Sequence, residues 1–171
     1  LGNADLLWYY NDLEPDDILK RMRNLKPAYP FRGGYTYQNI MYLAAGKLIA
    51  TISGKSWVEF MQERVFAPLG MSNTYPTLEI SQKQQNRSIP HHRIDDKITP
   101  IEDCSADPIA PAGAIWSSVN DMAKWMQFLL DNGKVKGQAL LELETYQELF
   151  KPQIIIPREQ FYPTTALTKP T

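Results

Sequence analysis

The chain has 171 residues, about the size of one domain, and its 18 basic residues nearly balance its 19 acidic residues, giving a net charge of −1. This balance argues against a nucleic-acid partner, which favours a basic stripe on the protein. No uncharged apolar stretch is long enough to cross a membrane, and the 43% content of hydrophobic residues excludes a highly charged disordered chain.

The composition favours helices joined by irregular segments. Valine occurs only four times, whereas strand-rich domains favour β-branched residues. The 13 prolines indicate long connections between helices. We therefore predict a mainly α fold with long irregular loops and little or no sheet, and we find no internal repeat or linker that divides the chain.

The chain begins with an aromatic-rich segment, residues 6–13, which forms either a short helix or a loop packed on the core. Pro15 suits the first position of a helix, and the two acids after it suit the positive end of the helix dipole. This helix should end before Pro27, because the residue preceding a proline disfavours the helical conformation. Residues 26–37 then read as an extended loop.

The next predicted helix covers residues 40–53 and is apolar almost all round, which indicates a buried central helix. Asn39 is a good N-cap for it, because an asparagine side chain can accept a hydrogen bond from a free N–H group of the first turn. Gly54 suits the left-handed position that commonly ends a helix.

A capping box of Ser56 and Glu59 starts the following helix, which Pro68 and Gly70 should end. Across residues 72–111, apolar residues no longer recur at a regular spacing. Because loops of this length are uncommon, this segment should be functional or contain short hidden elements.

Two helices are predicted in the C-terminal third. Ser118 and Asp121 resemble a second capping box, and apolar residues follow at helical spacing until Gly133. A last helix is predicted over residues 141–150, and the three isoleucines at positions 154–156 could add one short strand.

Several familiar catalytic motifs are missing from the sequence. It has no G-x-S-x-G nucleophile motif, no glycine-rich phosphate loop and no H-E-x-x-H zinc motif. It also has neither an S-x-x-K pair nor a K-[ST]-G triplet. No motif of this chain therefore identifies a nucleophilic serine.

Three residues that can bind metals or react as nucleophiles stand apart from any motif. His91 and His92 lie near Asp95 and Asp96, but adjacent histidines point in different directions and no i, i+4 pair is present. We therefore expect a solvated loop rather than a metal site. Cys104 is the single cysteine, which rules out an intrachain disulfide, and we expect a small apolar residue rather than a nucleophile.

Tyr37, Gln38 and Asn39 are the remaining candidates, between a loop rich in proline and glycine and the central helix. The tripeptide alone leaves two interpretations open, a core tyrosine beside a capping asparagine or part of a functional site. Tyr9 and Asn11 show the same spacing, so the pattern by itself is weak.

The surroundings of this tripeptide, residues 31–44 (FRGGYTYQNIMYLA), resemble the Y-x-N region of the serine β-lactamase and penicillin-binding protein family, class C-like branch. Three further blocks resemble the family in the same order: residues 53–57 (SGKSW), 65–74 (VFAPLGMSNT) and 111–118 (PAGAIWSS). Gln38 departs from the family, which has serine at this position.

The resemblance implies that residues 1–171 are the helical lobe of a larger two-lobe hydrolase with its site in the cleft between the lobes. The family's serine–lysine pair would precede Leu1, and its K-[ST]-G or H-x-G strand would follow Thr171. The implied reaction is acyl transfer, in which a serine attacks a carbonyl and a neighbouring base takes its proton. Tyr37 would belong to the proton-transfer network, and Asn39 would hydrogen-bond the substrate's amide.

The resemblance carries further expectations. The whole protein would be bacterial and periplasmic or otherwise extracytoplasmic, would need no metal or other cofactor, and would act on a β-lactam, a D-Ala-D-Ala peptide or an ester. The chain alone should be inactive and should self-associate through residues 8–10 and 152–171, because removing one lobe bares apolar surface. The alternatives are a non-enzymatic binding module of the same fold and an unrelated helical interaction protein.

Overall fold

Helices dominate the structure, a computed structural model that describes residues 2–9, 12–27, 29–34 and 36–153. A 3-10 helix, Gly2–Trp8, comes first. The α-helices are α1 (Pro15–Met22), α2 (Asn39–Ser53), α3 (Trp57–Met61), α4 (Ala67–Leu69), α5 (Leu78–Gln82), α6 (Ala110–Gly113), α7 (Val119–Leu130) and α8 (Leu143–Glu148). A π-helical segment, Gln62–Phe66, joins α3 to α4, and a 3-10 turn, Asp107–Ile109, precedes α6. The prediction of a mainly α lobe is confirmed.

In the described part of the chain, the strands form two short antiparallel hairpins. The first pairs β1 (His91–Ile94) with β2 (Lys97–Pro100), and the second pairs β3 (Lys134–Val135) with β4 (Gln138–Ala139). The β1–β2 hairpin has its turn at Asp95 and Asp96, whose φ angles of 48° and 61° lie in the left-handed region. Two-residue turns of this hand match the twist of antiparallel strands. Strands of two to four residues are too short for their alternation to be recognised in the sequence.

The first core cluster lies between α1, α2 and the turn before α6. Ile18, Ile40, Leu43 and Ile109 are all at least 96% buried there. The predicted start of α1 at Pro15 is confirmed, with Asp16 and Asp17 in its first turn. This cluster anchors the N-terminal half of α2, the helix that carries the candidate site residues.

The prediction that α2 is buried all round is wrong. Only Ile40, Leu43 and Gly46 are buried along it, because Ile18 and Ile109 pack with the two apolar side chains and Pro111 lies against Gly46. The opposite face is apolar and exposed, and its members are Met41, Leu48 and Ile52. The sequence could not separate the two faces, because both are apolar.

The second core cluster joins the segment from α3 to α4 with α7. Its buried members are Phe66, Leu69, Met71 and Phe128. The capping box predicted at Ser56 is present: the Ser56 hydroxyl accepts from the Glu59 N–H at 3.2 Å, and the Glu59 carboxylate accepts from the Ser56 N–H at 2.8 Å. Gly70 ends this helical run in the left-handed conformation, with a φ angle of 66°.

The two C-terminal helices lie close to their predicted positions. The Ser118 hydroxyl accepts from the Asp121 N–H at 3.2 Å at the start of α7. The last helix, α8, is shorter than predicted, and Tyr146 donates its hydroxyl hydrogen to the Leu129 carbonyl at 2.6 Å. The strand predicted at residues 154–156 lies outside the described residues.

The segment over residues 72–111 contains four short elements, α5, β1, β2 and the turn before α6. The Asp107 carboxylate ties its two ends together by accepting from the N–H groups of Leu78 at 2.8 Å and Glu79 at 3.1 Å. An ion pair between Arg87 and Asp103, 2.8 Å long and mostly buried, joins its middle to its end. Long-range polar contacts therefore order a segment in which apolar periodicity is weak.

Candidate active site

The structure brings Tyr37 and Asn39 into direct contact where α2 begins. The Tyr37 hydroxyl donates to the Asn39 side-chain oxygen Oδ1 across 3.2 Å. The Tyr37 side chain is 49% exposed, and Asn39 is half-buried. The two candidate residues are therefore one hydrogen-bonded pair, open to solvent on the tyrosine side.

The prediction that Asn39 is the N-cap of this helix is wrong by one position. Asn39 is the first helical residue, and Gln38 occupies the cap position in an extended conformation without a side-chain capping bond. The cap comes instead from Asp5, whose Oδ1 accepts from the backbone N–H of Asn39 at 2.7 Å and of Ile40 at 3.2 Å. A carboxylate suits this place because free N–H groups and the helix dipole make a helix start electropositive.

Asp5 also holds the side chain of Asn39. Its second oxygen, Oδ2, accepts from the Asn39 amide nitrogen Nδ2 at 2.6 Å, and Asp5 itself is 92% buried, with 8% exposed. A hydrogen-bonded series thus runs from Asp5 through Asn39 to Tyr37. Sequence reasoning missed Asp5, because no local pattern links residues that are 34 positions apart.

Gln38, the residue that departs from the family pattern, points into the protein. It is only 7% exposed, and neither its Oε1 nor its Nε2 has a hydrogen-bond partner among the described residues. Trp8 shows the same feature at its ring nitrogen Nε1. Buried polar atoms normally find partners, so these two side chains are exceptions near the start of the protein's central helix.

The paired hydroxyl of Tyr37 can take part in a proton-transfer network by accepting a hydrogen bond. A tyrosine hydroxyl has one hydrogen to donate and lone pairs with which to accept. Since the hydrogen of Tyr37 points to Asn39, the lone pairs of its oxygen can accept a hydrogen bond from a group on the solvent side. The arrangement can therefore hold a proton-carrying group in place, but it contains no nucleophile of its own.

His91 and His92 lie in a strand rather than in the expected loop. Both are exposed, and His91 Nδ1 is 2.7 Å from the carbonyl oxygen of Ile89. Within the described ranges, no group of three or more His, Cys, Asp or Glu side chains could hold a metal ion. Cys104 is a free, exposed cysteine.

A second polar cluster surrounds Asp121 on α7. Its Oδ2 accepts from the Asn73 N–H at 2.6 Å and from the Thr74 hydroxyl at 3.0 Å, and Lys124 donates to its Oδ1 at 2.8 Å. Burial raises the pKa of Asp121, but these hydrogen bonds and the charge of Lys124 outweigh it and hold the pKa below its ordinary value. The cluster ties residues 73–74 to α7 and is structural.

Comparisons with known proteins agree on one family. The family profile described as Beta-lactamase matches residues 2–162. An unguisins hydrolase of Aspergillus violaceofuscus is 34% identical over 121 residues, which make up 67% of this chain and 21% of that protein. Because a fungal protein is among the relatives, the similarity does not assign this chain to bacteria.

Solved structures show the same fold. The octameric penicillin-binding protein homologue from Pyrococcus abyssi matches with a TM-score of 0.65 and 23% identity, over 90% of this chain and 34% of that one. A D-stereospecific amidohydrolase from Streptomyces matches with a TM-score of 0.67 and 16% identity, over 95% of this chain and 45% of that one.

The matches cover only part of the relatives. The chain spans about a fifth of the length of the Aspergillus hydrolases, 21% and 22%. No helix in the described part of the chain is both long and apolar enough to cross a membrane.

Proposed function

Because the chain belongs to the beta-lactamase family, we propose that it is the helical lobe of a larger serine hydrolase that works by acyl transfer. The observation that carries the proposal is the Tyr37–Asn39 pair, hydrogen-bonded at the start of α2 and open to solvent at the tyrosine. The second lobe would supply the nucleophilic serine and its lysine, since the 171 residues contain no S-x-x-K pair.

In this proposal, Tyr37 belongs to the proton-transfer network. The serine hydroxyl attacks the substrate carbonyl and its proton passes to the neutral amine of the neighbouring lysine. The Tyr37 oxygen, whose own hydrogen stays with Asn39, accepts a hydrogen bond that places this lysine for the transfer. Backbone N–H groups of the other lobe would stabilise the oxyanion. Asn39 contacts the substrate's amide from the edge of the site. The proposed reaction needs no metal or other cofactor.

The substrate we propose is an amide, in a peptide or another small molecule. Its support is that the D-stereospecific amidohydrolase and a D-amino acid amidase from Ochrobactrum anthropi share the fold, the latter with a TM-score of 0.58, and that the Aspergillus relative is also a hydrolase. β-Lactams and esters react by the same steps and are the alternatives. We propose an extracytoplasmic location, in keeping with the family resemblance.

The test uses the full-length protein and three chromogenic probes: a β-lactam, a p-nitrophenyl ester and a D-alanyl p-nitroanilide. We expect Tyr37→Phe to lower kcat by about 10²–10⁴-fold on the preferred probe, the range that proton-transfer groups contribute. Tyr42→Phe is the matched control, because Tyr42 lies on the same helix with its side chain exposed.

Two results would overturn the proposal. Full turnover by Tyr37→Phe would show that Tyr37 has a structural role and takes no part in catalysis. Binding of a probe without any turnover by the wild-type protein would favour the non-enzymatic binding module instead.

A further inference from the structure

Asp5 does more than cap α2. Its Oδ1 accepts the two backbone N–H groups at the helix start, and its Oδ2 is left for one further donor, the Nδ2 of Asn39 at 2.6 Å. Each oxygen therefore has a separate task. One stabilises the helix, and the other acts on a residue of the candidate active site.

The contact with Oδ2 determines which way the Asn39 amide faces. A carboxylate oxygen only accepts hydrogen bonds, so the Asn39 group that faces Asp5 must be the donor, Nδ2. The reversed amide would place its oxygen against a carboxylate oxygen at 2.6 Å without a hydrogen between them. Oδ1 of Asn39 must therefore face the other way, where it accepts from the Tyr37 hydroxyl at 3.2 Å.

We propose that Asp5 is a positioning residue for catalysis, which acts through Asn39 to set the direction of the Tyr37 hydroxyl. With Oδ1 of Asn39 held outward, the hydrogen of Tyr37 points to Asn39 and its oxygen lone pairs face the open side. This inference rests on the proposed function of Tyr37, and it adds a residue that never touches the substrate.

Asp5→Asn isolates this effect from capping. The oxygen of the new amide can still accept from the N–H groups of Asn39 and Ile40. Its NH2 group, however, would face Nδ2 of Asn39, and two donors cannot bond. The Asn39 amide is then expected to turn over and to present Nδ2 to Tyr37, which removes the acceptor of the tyrosine's hydrogen.

The experiment is a double-mutant cycle in the full-length protein, with kcat, KM and thermal melting measured on its preferred probe. In the Asn39 background, Asp5→Asn should lower kcat/KM about tenfold or more, as expected for a lost hydrogen bond to a charged group. In the Asn39→Ala background, the same substitution should leave kcat/KM unchanged, because Asp5 acts only through the removed amide. The change in melting temperature caused by Asp5→Asn should be similar in the Asn39 and Asn39→Ala backgrounds.

Asp107→Asn is the matched control. Asp107 also accepts from two backbone N–H groups at a helix start, those of Leu78 and Glu79, but it does not touch the Tyr37–Asn39 pair. Asp107→Asn should lower the melting temperature but should leave kcat/KM unchanged. If Asp5→Asn does not fold, Asp5→Ser replaces it, which removes the contact with Nδ2 of Asn39, and kcat/KM is again compared between the Asn39 and Asn39→Ala backgrounds.

Equal falls in kcat/KM in both Asn39 backgrounds, or a fall no larger than that of Asp107→Asn, would overturn the inference. If the proposed function itself is wrong, Tyr37→Phe will keep full turnover, whether or not Asp5 is substituted.

Discussion

Gly46, in the middle of α2, lies against the ring of Pro111, with no room for a side chain between them. A Cβ atom built on Gly46 would clash with the Pro111 ring. Pro111 begins the block of residues 111–118 that resembles the family, and Gly46 lies one helical turn beyond Leu43 in the first core cluster. The close approach of α2 and α6 therefore depends on a glycine.

Gly46→Ala should destabilise the protein. An alanine inside a helix is normally more stable than a glycine by about 0.5–1 kcal/mol, but the clash with Pro111 should reverse the sign and cost about 1–3 kcal/mol. Chemical denaturation of the two variants measures the change. Gly113→Ala is the control, since nothing lies within 4 Å of its added Cβ, and stabilisation by Gly46→Ala would contradict the packing described here.

Gln38→Met should raise the free energy of unfolding of the chain by about 1 kcal/mol. Buried polar atoms without partners destabilise a protein by about 1–3 kcal/mol, and methionine fills a similar space without such atoms. Gln127→Met should not stabilise, because exposed Gln127 donates to Asp131 at 2.9 Å. A loss of stability in Gln38→Met would mean that the buried amide has a partner.

Asp121→Asn should cost about 1.5–3 kcal/mol near neutral pH, because it weakens several hydrogen bonds to a buried carboxylate. The pKa of Asp121 in the folded protein is below its ordinary value of 3.8, so its charged form stabilises the fold above that pH. This contribution is lost as the pH falls through the folded pKa.

The stability difference between wild type and Asp121→Asn should therefore shrink in acid, as measured by denaturation across a pH series. Asp95→Asn removes the same charge from an exposed hairpin turn and is the control for the loss of charge. A difference that stays constant to the lowest pH would argue against the role of the Asp121 carboxylate.

The isolated chain should self-associate, and the exposed face of α2 should contribute to the contact in addition to the aromatic segment near the N-terminus, where Tyr9 is exposed. Trp8 packs against the first core cluster, and Tyr10 and the residues after 153 lie outside the described residues. Ile52 and Leu48, in contrast, are 77% and 59% exposed on α2. Contiguous apolar surface of this kind drives association.

Sedimentation at increasing concentration measures this association, and Ile52→Lys should weaken it. Thr51→Lys, which adds the same charge at the neighbouring exposed position, should have a smaller effect. A chain that stays monomeric at every concentration would contradict the prediction.

The chain alone should not hydrolyse the chromogenic β-lactam or ester, because its 171 residues contain neither an S-x-x-K pair nor a K-[ST]-G triplet. The measurement is turnover by the purified chain, with Tyr37→Phe as the control. Turnover that this substitution abolishes would show that the chain carries its own nucleophile.

The local chemistry of the sequence was a good guide to where helices begin and end. Pro15, the Ser56–Glu59 capping box and left-handed Gly54 and Gly70 act where predicted, because each signal involves residues within one turn of one another. The hairpins were missed, since their strands are short and one of them turns at Asp95 and Asp96, which sequence rules do not mark as strongly as glycine.

The candidate site was only half predictable. The spacing of Tyr37 and Asn39, with the blocks around them, was enough to identify the pair and the family. The sequence also suggested Asn39 as the N-cap of α2, because asparagine is a preferred capping residue and Asn39 lies next to the predicted helix start. A buried carboxylate from the 3-10 helix occupies that role instead.

By itself, the sequence determined the helical class, most of the helix ends and the family, because these depend on residue type and on neighbours along the chain. Only the tertiary structure decided which face of α2 is buried, that Asp5 holds Asn39, and that Gly46 must lie against Pro111. Each of these depends on a contact between segments that are distant in the sequence, and hydrophobic periodicity carries no information about which distant side chain supplies a partner.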